Sequence, residues 1–216
     1  MSQDSQLQQA VLAEFDWEPS VSAGHIGVTA NAGVVTLSGH VDSYAKKHAA
    51  EAAARRVKGV KAVAEEIEVR LAFDAERSDE EIASAAIERL AWNVSVPKDS
   101  VQVRVEKGWV TLTGQVDWWY QKEAAEIDVR PLHGVLGVSN QTTIKPRVDT
   151  ADLSDDIMHA LHRSWFFDPN TVHVRADRGK VILTGTVQSP HERQIAGQTA
   201  WAAPGATEVE NDIIVV

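Results

Sequence analysis

The sequence predicts an α+β protein: three tandem α-β-β-α-β modules, each a three-stranded mixed sheet with two helices on one face. Three observations carry this. The stretch Gly33-Val34-Val35-Thr36-Leu37-Ser38-Gly39 returns as Gly108 to Gly114 and again as Gly179 to Gly185, always as Gly-x-Val-x-Leu-Ser/Thr-Gly. A third glycine (Gly59, Gly134, Gly205) lies twenty residues after the second in every copy. Apolar residues at helical spacing flank each copy on both sides. A fixed offset of this kind marks a repeat rather than a coincidence of valines and glycines.

The chain divides into modules at 1–71, 77–146 and 152–216, joined by linkers at Leu71 to Arg77 and Lys145 to Leu153, the second marked by Pro146. Modules this small bury only about 60% of their unfolded surface, so packing between them is expected to matter.

Each module opens with a helix. Residues 4–17 carry Leu7, Val11 and Phe15 four apart, with Trp17 near the end and Asp4 or Ser5 as cap. Asp79 to Trp92 matches it with Ile82, Ala86, Leu90 and Trp92, and Ser78 with Glu81 has capping-box spacing. Ser154 to Phe167 is the third copy, with Ile157, Leu161, Trp165 and Phe167. These positions are expected to form a core face.

A first strand follows, alternating Ile26, Val28 and Ala30, then Val101, Val103 and Val105, then Val172, Val174 and Ala176. Turns ending in Gly33, Gly108 and Gly179 join it as a hairpin to the repeated strand, which the second glycine (Gly39, Gly114, Gly185) is expected to end at a bend. The next helix shows the stripe Ala50, Ala54, Val57, and its counterparts Ala125, Val129, Leu132 and Ala196, Ala200, Ala203. Ser43 or Ser189 caps it, Pro190 suits its first turn, and Gly59, Gly134 and Gly205 are expected to stop it. A last strand (Val63, Ile67, Val69; Val138, Ile144; Val209, Ile213, Val215) closes the unit, parallel to its neighbour as a crossover requires.

The element order, the glycine-bracketed strand and the later glycine resemble the BON domain (bacterial OsmY and nodulation), over all three modules. That resemblance implies a non-enzymatic protein associating with phospholipid or envelope components, often under osmotic or other stress, commonly in the periplasm. One type within the family couples a BON domain to potassium sensing. The resemblance carries no catalytic motif, and it implies no cofactor.

Composition narrows the function classes. Hydrophobic residues are 44% and charged residues 24% of 216, the balance of a globular protein. Net charge is −10, and every module is acidic: 7 basic against 11 acidic residues in 1–76, 9 against 11 in 77–150, and 5 against 9 in 151–216. No module has the basic footprint of a nucleic-acid binder. Cysteine is absent, which removes disulfides, thiolate metal sites and cysteine nucleophiles. The N-terminal residues lack the basic and apolar segments of a secretory signal, so a cytoplasmic location is expected, or a periplasmic one if the true N-terminus lies upstream.

Nucleophile elbows, phosphate-binding glycine loops and zinc-ligand spacings are missing from the sequence. His159 and His162, three apart, read as polar residues on a solvated helix face rather than metal ligands. Two features stand out as candidate partner or lipid contacts. Trp118-Trp119-Tyr120 enters the second helix of module two, where the other modules have Ser43-Tyr44-Ala45 and Ser189-Pro190-His191. Consecutive rings cannot all face one core, so at least one is expected to be exposed. The second is a basic row: Lys47, Arg55 and Arg56, with Lys122 and Arg193 recurring at the place of Lys47. Such a row suits phosphate headgroups, though Glu51 stands four from both Lys47 and Arg55 and offers ordinary helix ion pairs. The expected function is therefore binding: a scaffold for a protein partner or phospholipid surface. The alternative is a sensor of potassium, another monovalent cation or a solute, whose modules repack on binding.

Overall fold

The structure is a computed structural model that describes residues 2–146, 152–163 and 171–216. Module one comprises α1 (Gln3–Trp17), β1 (Ile26–Asn31), β2 (Val34–Val41), α2 (Tyr44–Arg56) and β3 (Ala62–Val69). Module two comprises α3 (Asp79–Trp92), β4 (Val101–Glu106), β5 (Trp109–Val116), α4 (Trp119–Val129), β6 (Gly137–Asn140) and β7 (Thr143–Ile144). Module three comprises α5 (Leu153–His162), β8 (Val172–Asp177), β9 (Lys180–Val187), α6 (Pro190–Trp201) and β10 (Glu208–Val215).

Each sheet is mixed, as the sequence predicts. The repeated strand sits in the middle, antiparallel to the strand before it and parallel to the one after: Leu37 pairs Val28 on one side and Glu65 on the other. In module two the last strand is broken after Asn140 and resumes at Thr143, leaving the Oγ1 of buried Thr142 without a partner. Along β2, Val35 and Leu37 are fully buried under α1 and α2 while Val34 faces outward, so one sheet face is covered and the other is open.

The hairpin turns explain the first glycine. Ala32 and Gly33 have φ of 50° and 87°, the two positive values that a tight hairpin matching strand twist requires. The N-terminus of the first helix clamps this turn. Asp4 accepts from the N–H of Ala32 at 2.9 Å and Asp79 from the N–H groups of Lys107 and Gly108 at 2.8 Å, whereas in module three the Ser154 hydroxyl accepts from the N–H of Ala176, inside β8, at 3.0 Å. The cap of α1 is therefore Ser2, which accepts from Ser5 N–H, and not Asp4 or Ser5.

Three further expectations are corrected. Gly39, Gly114 and Gly185 do not end their strands, which run two residues further to Val41, Val116 and Val187. Gly59, Gly134 and Gly205 do not stop the second helices, which end earlier, at Arg56, Val129 and Trp201. Each sits third in a four-residue turn closed by Val60, Val135 or Ala206 donating to Val57, Leu132 or Ala203. Their φ of 86° to 103° is what a type II turn needs at that place. Finally, Trp17 and Trp92 are not core residues: they are 84% and 81% exposed. Each follows its last core residue (Phe15, Leu90) by two positions, about 200° round a helix of 3.6 residues per turn, so it points away from the sheet.

Leu153, read as linker, begins α5 and is buried. Trp165 and Phe167 lie outside the described residues. The first linker contains a short 3-10 turn, Phe73–Ala75, with Phe73 exposed. Ser43 and Ser189 cap α2 and α6 as expected, and Ser78 forms a full capping box with Glu81.

The modules pack against one another through their second helices. Tyr44, at the start of α2, is half-buried against the core of module two. Its counterpart Trp119 faces module three across a cleft, and the next counterpart, Pro190, faces Arg55, Lys61 and Val63 of module one. Helices α2 and α6 touch directly. Equivalent positions at the start of the three second helices thus each meet another module, Tyr44 by packing into its core and Trp119 and Pro190 across clefts.

Candidate functional site

The second helices bring together the residues singled out in the sequence, in two groups. The aromatic run behaves as the helix geometry requires: Trp118 and Trp119 are half-buried and Tyr120 is 53% exposed. Trp118 occupies the N-cap place of α4 held by serine in the other modules. Gln121, buried one turn in, accepts from the N–H groups just before the helix, of Asp117 at 2.9 Å and of Trp118 at 3.1 Å, as Glu192 does from Gln188 beside the Ser189 cap.

Most of the basic row is engaged within the protein. Lys47 donates to the carbonyl of Ile67 at 2.8 Å and pairs with Glu65 at 3.3 Å, not with Glu51. Glu51 pairs with Arg55 alone, at 2.5 Å. Arg56 bridges to Glu14 and Glu18 of α1, at 2.9 and 3.0 Å, tying the two helices of module one together. Arg193 donates to the carbonyl of Asn211 in β10. At this helix position the cation thus fastens the second helix to the third strand in modules one and three.

Lys122 departs from the pattern. Asn140 of β6 donates to the Lys122 carbonyl at 2.8 Å, while the Lys122 ammonium makes no ion pair or hydrogen bond among the described residues. Burial holds its pKa below the usual lysine value, against the pull of Glu126. The ammonium opens into a cleft of about 410 Å³ at the junction of the three modules. Trp119 and Glu123 of α4, His48 of α2, and Gln198 and Trp201 of α6 share its walls.

Arg130 anchors that cleft. It pairs with Glu126 at 3.0 Å, and its Nη1 donates to Nδ1 of His48 at 3.4 Å, across the boundary between modules. Its Nε is buried with no partner among the described residues. Burial, then the neighbouring Arg130 charge, holds His48 below the ordinary histidine pKa. Burial first, and then Glu126, raises Glu123 above the usual carboxylate range. Sequence reasoning missed Glu123, Arg130, His48 and Trp201 because each is unremarkable within its own module. The available signal was that they fall at two equivalent positions of the second helix, His48, Glu123 and Gln194 sharing one and Arg55, Arg130 and Trp201 the other.

His159 and His162 are exposed on α5, and the described residues contain no group of three or more His, Asp or Glu side chains able to hold a metal. No described helix is long and apolar enough to cross a membrane.

This geometry defines a repeat protein of sheet-and-helix modules whose contacts lie on the second helices. The chain belongs to the BON family: the BON domain pattern matches residues 3–70, 78–146 and 149–216. It is 31% identical over 146 residues, 66% of this chain, to osmotically-inducible protein Y of Escherichia coli K12, of which it covers 73%. It is 37% identical over 68 residues, 32% of this chain, to an uncharacterized protein from the gshII 5' region of Anaplasma centrale, of which it covers 44%. Among solved structures, the C-terminal domain of CdsD, a structural protein of the Chlamydia trachomatis type III secretion system, aligns over the full length of both chains at 18% identity and a TM-score of 0.27.

Proposed function

We propose that this chain is a non-enzymatic binding protein with a stress-related role, which docks a partner protein through the exposed indoles of its first helices. The observation that carries the reading is the pair Trp17 and Trp92. Both indoles are more than four-fifths exposed, at equivalent places on α1 and α3. The fold does not use them, and large exposed aromatics are what interface centres are built from. Every module is acidic, so the partner surface that suits them is apolar with a neutral or basic rim. The kinship with an osmotically inducible protein supports the stress-related part.

A second reading, a phospholipid surface, is favoured by the same indoles, because tryptophan settles at the headgroup level of bilayers. With Lys47, Arg55, Arg56 and Arg193 occupied, it rests on Trp17, Trp92 and exposed Tyr120 rather than on the basic row. The test is a crosslinking pull-down from the native cell beside co-sedimentation with phosphatidylcholine vesicles, using the parent and the Trp17→Ala, Trp92→Ala double variant. Capture of a protein by the parent and not by the variant supports the first reading. Vesicle binding lost in the variant, with no protein captured, transfers it to the second. Full capture by the double variant overturns both.

A further inference from the structure

Two charged side chains on the wall of the junction cleft, and one donor sealed behind it, have no partner among the described residues. The Lys122 ammonium has no partner, although Lys47 and Arg193, its counterparts, both reach strand carbonyls. The Nε of Arg130 is a buried donor with no acceptor. The half-buried carboxylate of Glu123, next along α4, has no hydrogen bond or ion pair. Half-buried charges without a partner have lost part of their hydration, and two of opposite sign on one cleft wall favour an occupant that answers both.

The chemistry of that occupant follows by elimination. A simple anion is drawn to Lys122 and to the Arg130 charge but is repelled by Glu123 and by Glu126 behind it. A simple cation answers Glu123 but meets Lys122 and Arg130. Trp119 and Trp201 add two indoles to the walls, and indole faces attract cationic, poorly hydrated ammonium groups. The cleft, about 410 Å³, is in the size range of small-molecule sites, about 300–1,000 Å³. We propose that the junction cleft binds a small zwitterion, its carboxylate on Lys122 in the field of Arg130 and its ammonium group between Glu123 and the two indoles. Because the walls come from α2, α4 and α6, the bound ligand bridges modules and steadies their packing. The site is separate from Trp17 and Trp92, so it stands or falls independently of partner docking.

Trimethylglycine is the probe, titrated into the full chain while the indole N–H resonances of Trp119 and Trp201 are followed by NMR. Local shifts are read, because a solute excluded from protein surfaces raises melting temperature without binding. The expected result is saturable movement of both resonances, weakened at least tenfold in Lys122→Gln and in Glu123→Gln and unchanged in Lys58→Gln. Tetramethylammonium and acetate, the two halves of the probe, are expected to bind at least tenfold more weakly. Glycine, which carries the same charges without the methyl groups, reports how much the indoles add. Failure of the parent to saturate overturns the proposal, as does binding of either half as tight as that of the whole. Should a variant fail to fold, the comparison of whole probe with halves on the parent still decides.

Discussion

Arg130 Nη1 lies 3.4 Å from Nδ1 of His48, so a guanidinium of module two donates to an imidazole of module one. That ring nitrogen must be unprotonated to accept. Burial disfavours the imidazolium, and Arg130 and Arg55 oppose it further, while Glu51 and Glu126 pull the other way without prevailing. The folded protein thus holds His48 at a lower pKa than the unfolded chain does. Below the unfolded value the unfolded state binds more protons, so stability is present above about pH 6.5 and is lost as pH falls through the folded pKa. The expected outcome is that unfolding free energy declines between pH 7 and 5 more steeply in the parent than in His48→Gln. Urea titrations at each pH measure it, and parallel slopes for the two proteins refute the coupling.

Tyr44 is the second tie across the same boundary. Burial raises its hydroxyl pKa, and its ring adds to the core cluster of Ile82, Val110 and Ala125 in module two. Removing a fully buried large aromatic costs about 3–5 kcal/mol, so a half-buried one should cost about 2 kcal/mol. More diagnostic is the shape of the transition. Tyr44→Ala is expected to split one cooperative unfolding transition into separable ones, with a lower apparent m-value, because module one no longer completes its neighbour's core. A single transition with unchanged m-value would show that the modules are coupled elsewhere.

Within module two, Ser78 and Glu81 satisfy each other's end of α3: the Ser78 hydroxyl accepts from Glu81 N–H at 3.3 Å, and the Glu81 carboxylate accepts from Ser78 N–H at 2.8 Å. Those bonds hold the Glu81 pKa below the usual carboxylate range. Ser78→Ala should destabilise by about 1 kcal/mol, the ordinary worth of an N-cap, and Ser78→Thr should restore most of it. Chemical denaturation followed by circular dichroism reads both.

The module fold was legible because its signals are local. Alternation at Val35 and Leu37, the serine at 43, and Pro190 at a helix start each constrain the backbone next to them, and the threefold recurrence removed ambiguity about register. The error at Trp17 was avoidable in principle: spacing by two from Phe15 places it on the opposite side of the helix. A glycine after a helical stripe usually stops the helix, yet at Gly59 a turn intervenes. What no single-module pattern could show was the junction. The meetings of His48 with Arg130, and of Tyr44 with a neighbouring core, depend on how modules rotate against one another, and periodicity within a module carries no information about that rotation. Lys47 was misassigned for a related reason. A helix-only view offers Glu51 four residues away, whereas the folded sheet offers Glu65 and a strand carbonyl.

The two kinds of glycine should separate cleanly on substitution. Gly39 has φ of 124°, and a Cβ there would lie 2.1 Å from the carbonyl oxygen of His25, a backbone atom that cannot swing aside. Gly114 and Gly185 repeat this approach against Ser100 and Thr171, at 2.1 and 1.9 Å. The backbone conformation alone costs about 1–3 kcal/mol for a non-glycine residue, and relief of the clash must part β1 from β2 at the Ile26–Gly39 pair. Gly59 also has positive φ, at 91°, but a Cβ there meets only the Leu7 side chain at 3.6 Å, an ordinary contact. Gly59→Ala should therefore lose only the conformational term, on the order of 1 kcal/mol. Gly39→Ala should lose more than twice as much and expose the β1–β2 amides to faster hydrogen exchange. If the two variants melt together, the close approach at Gly39 is not what places glycine at the end of the repeated motif.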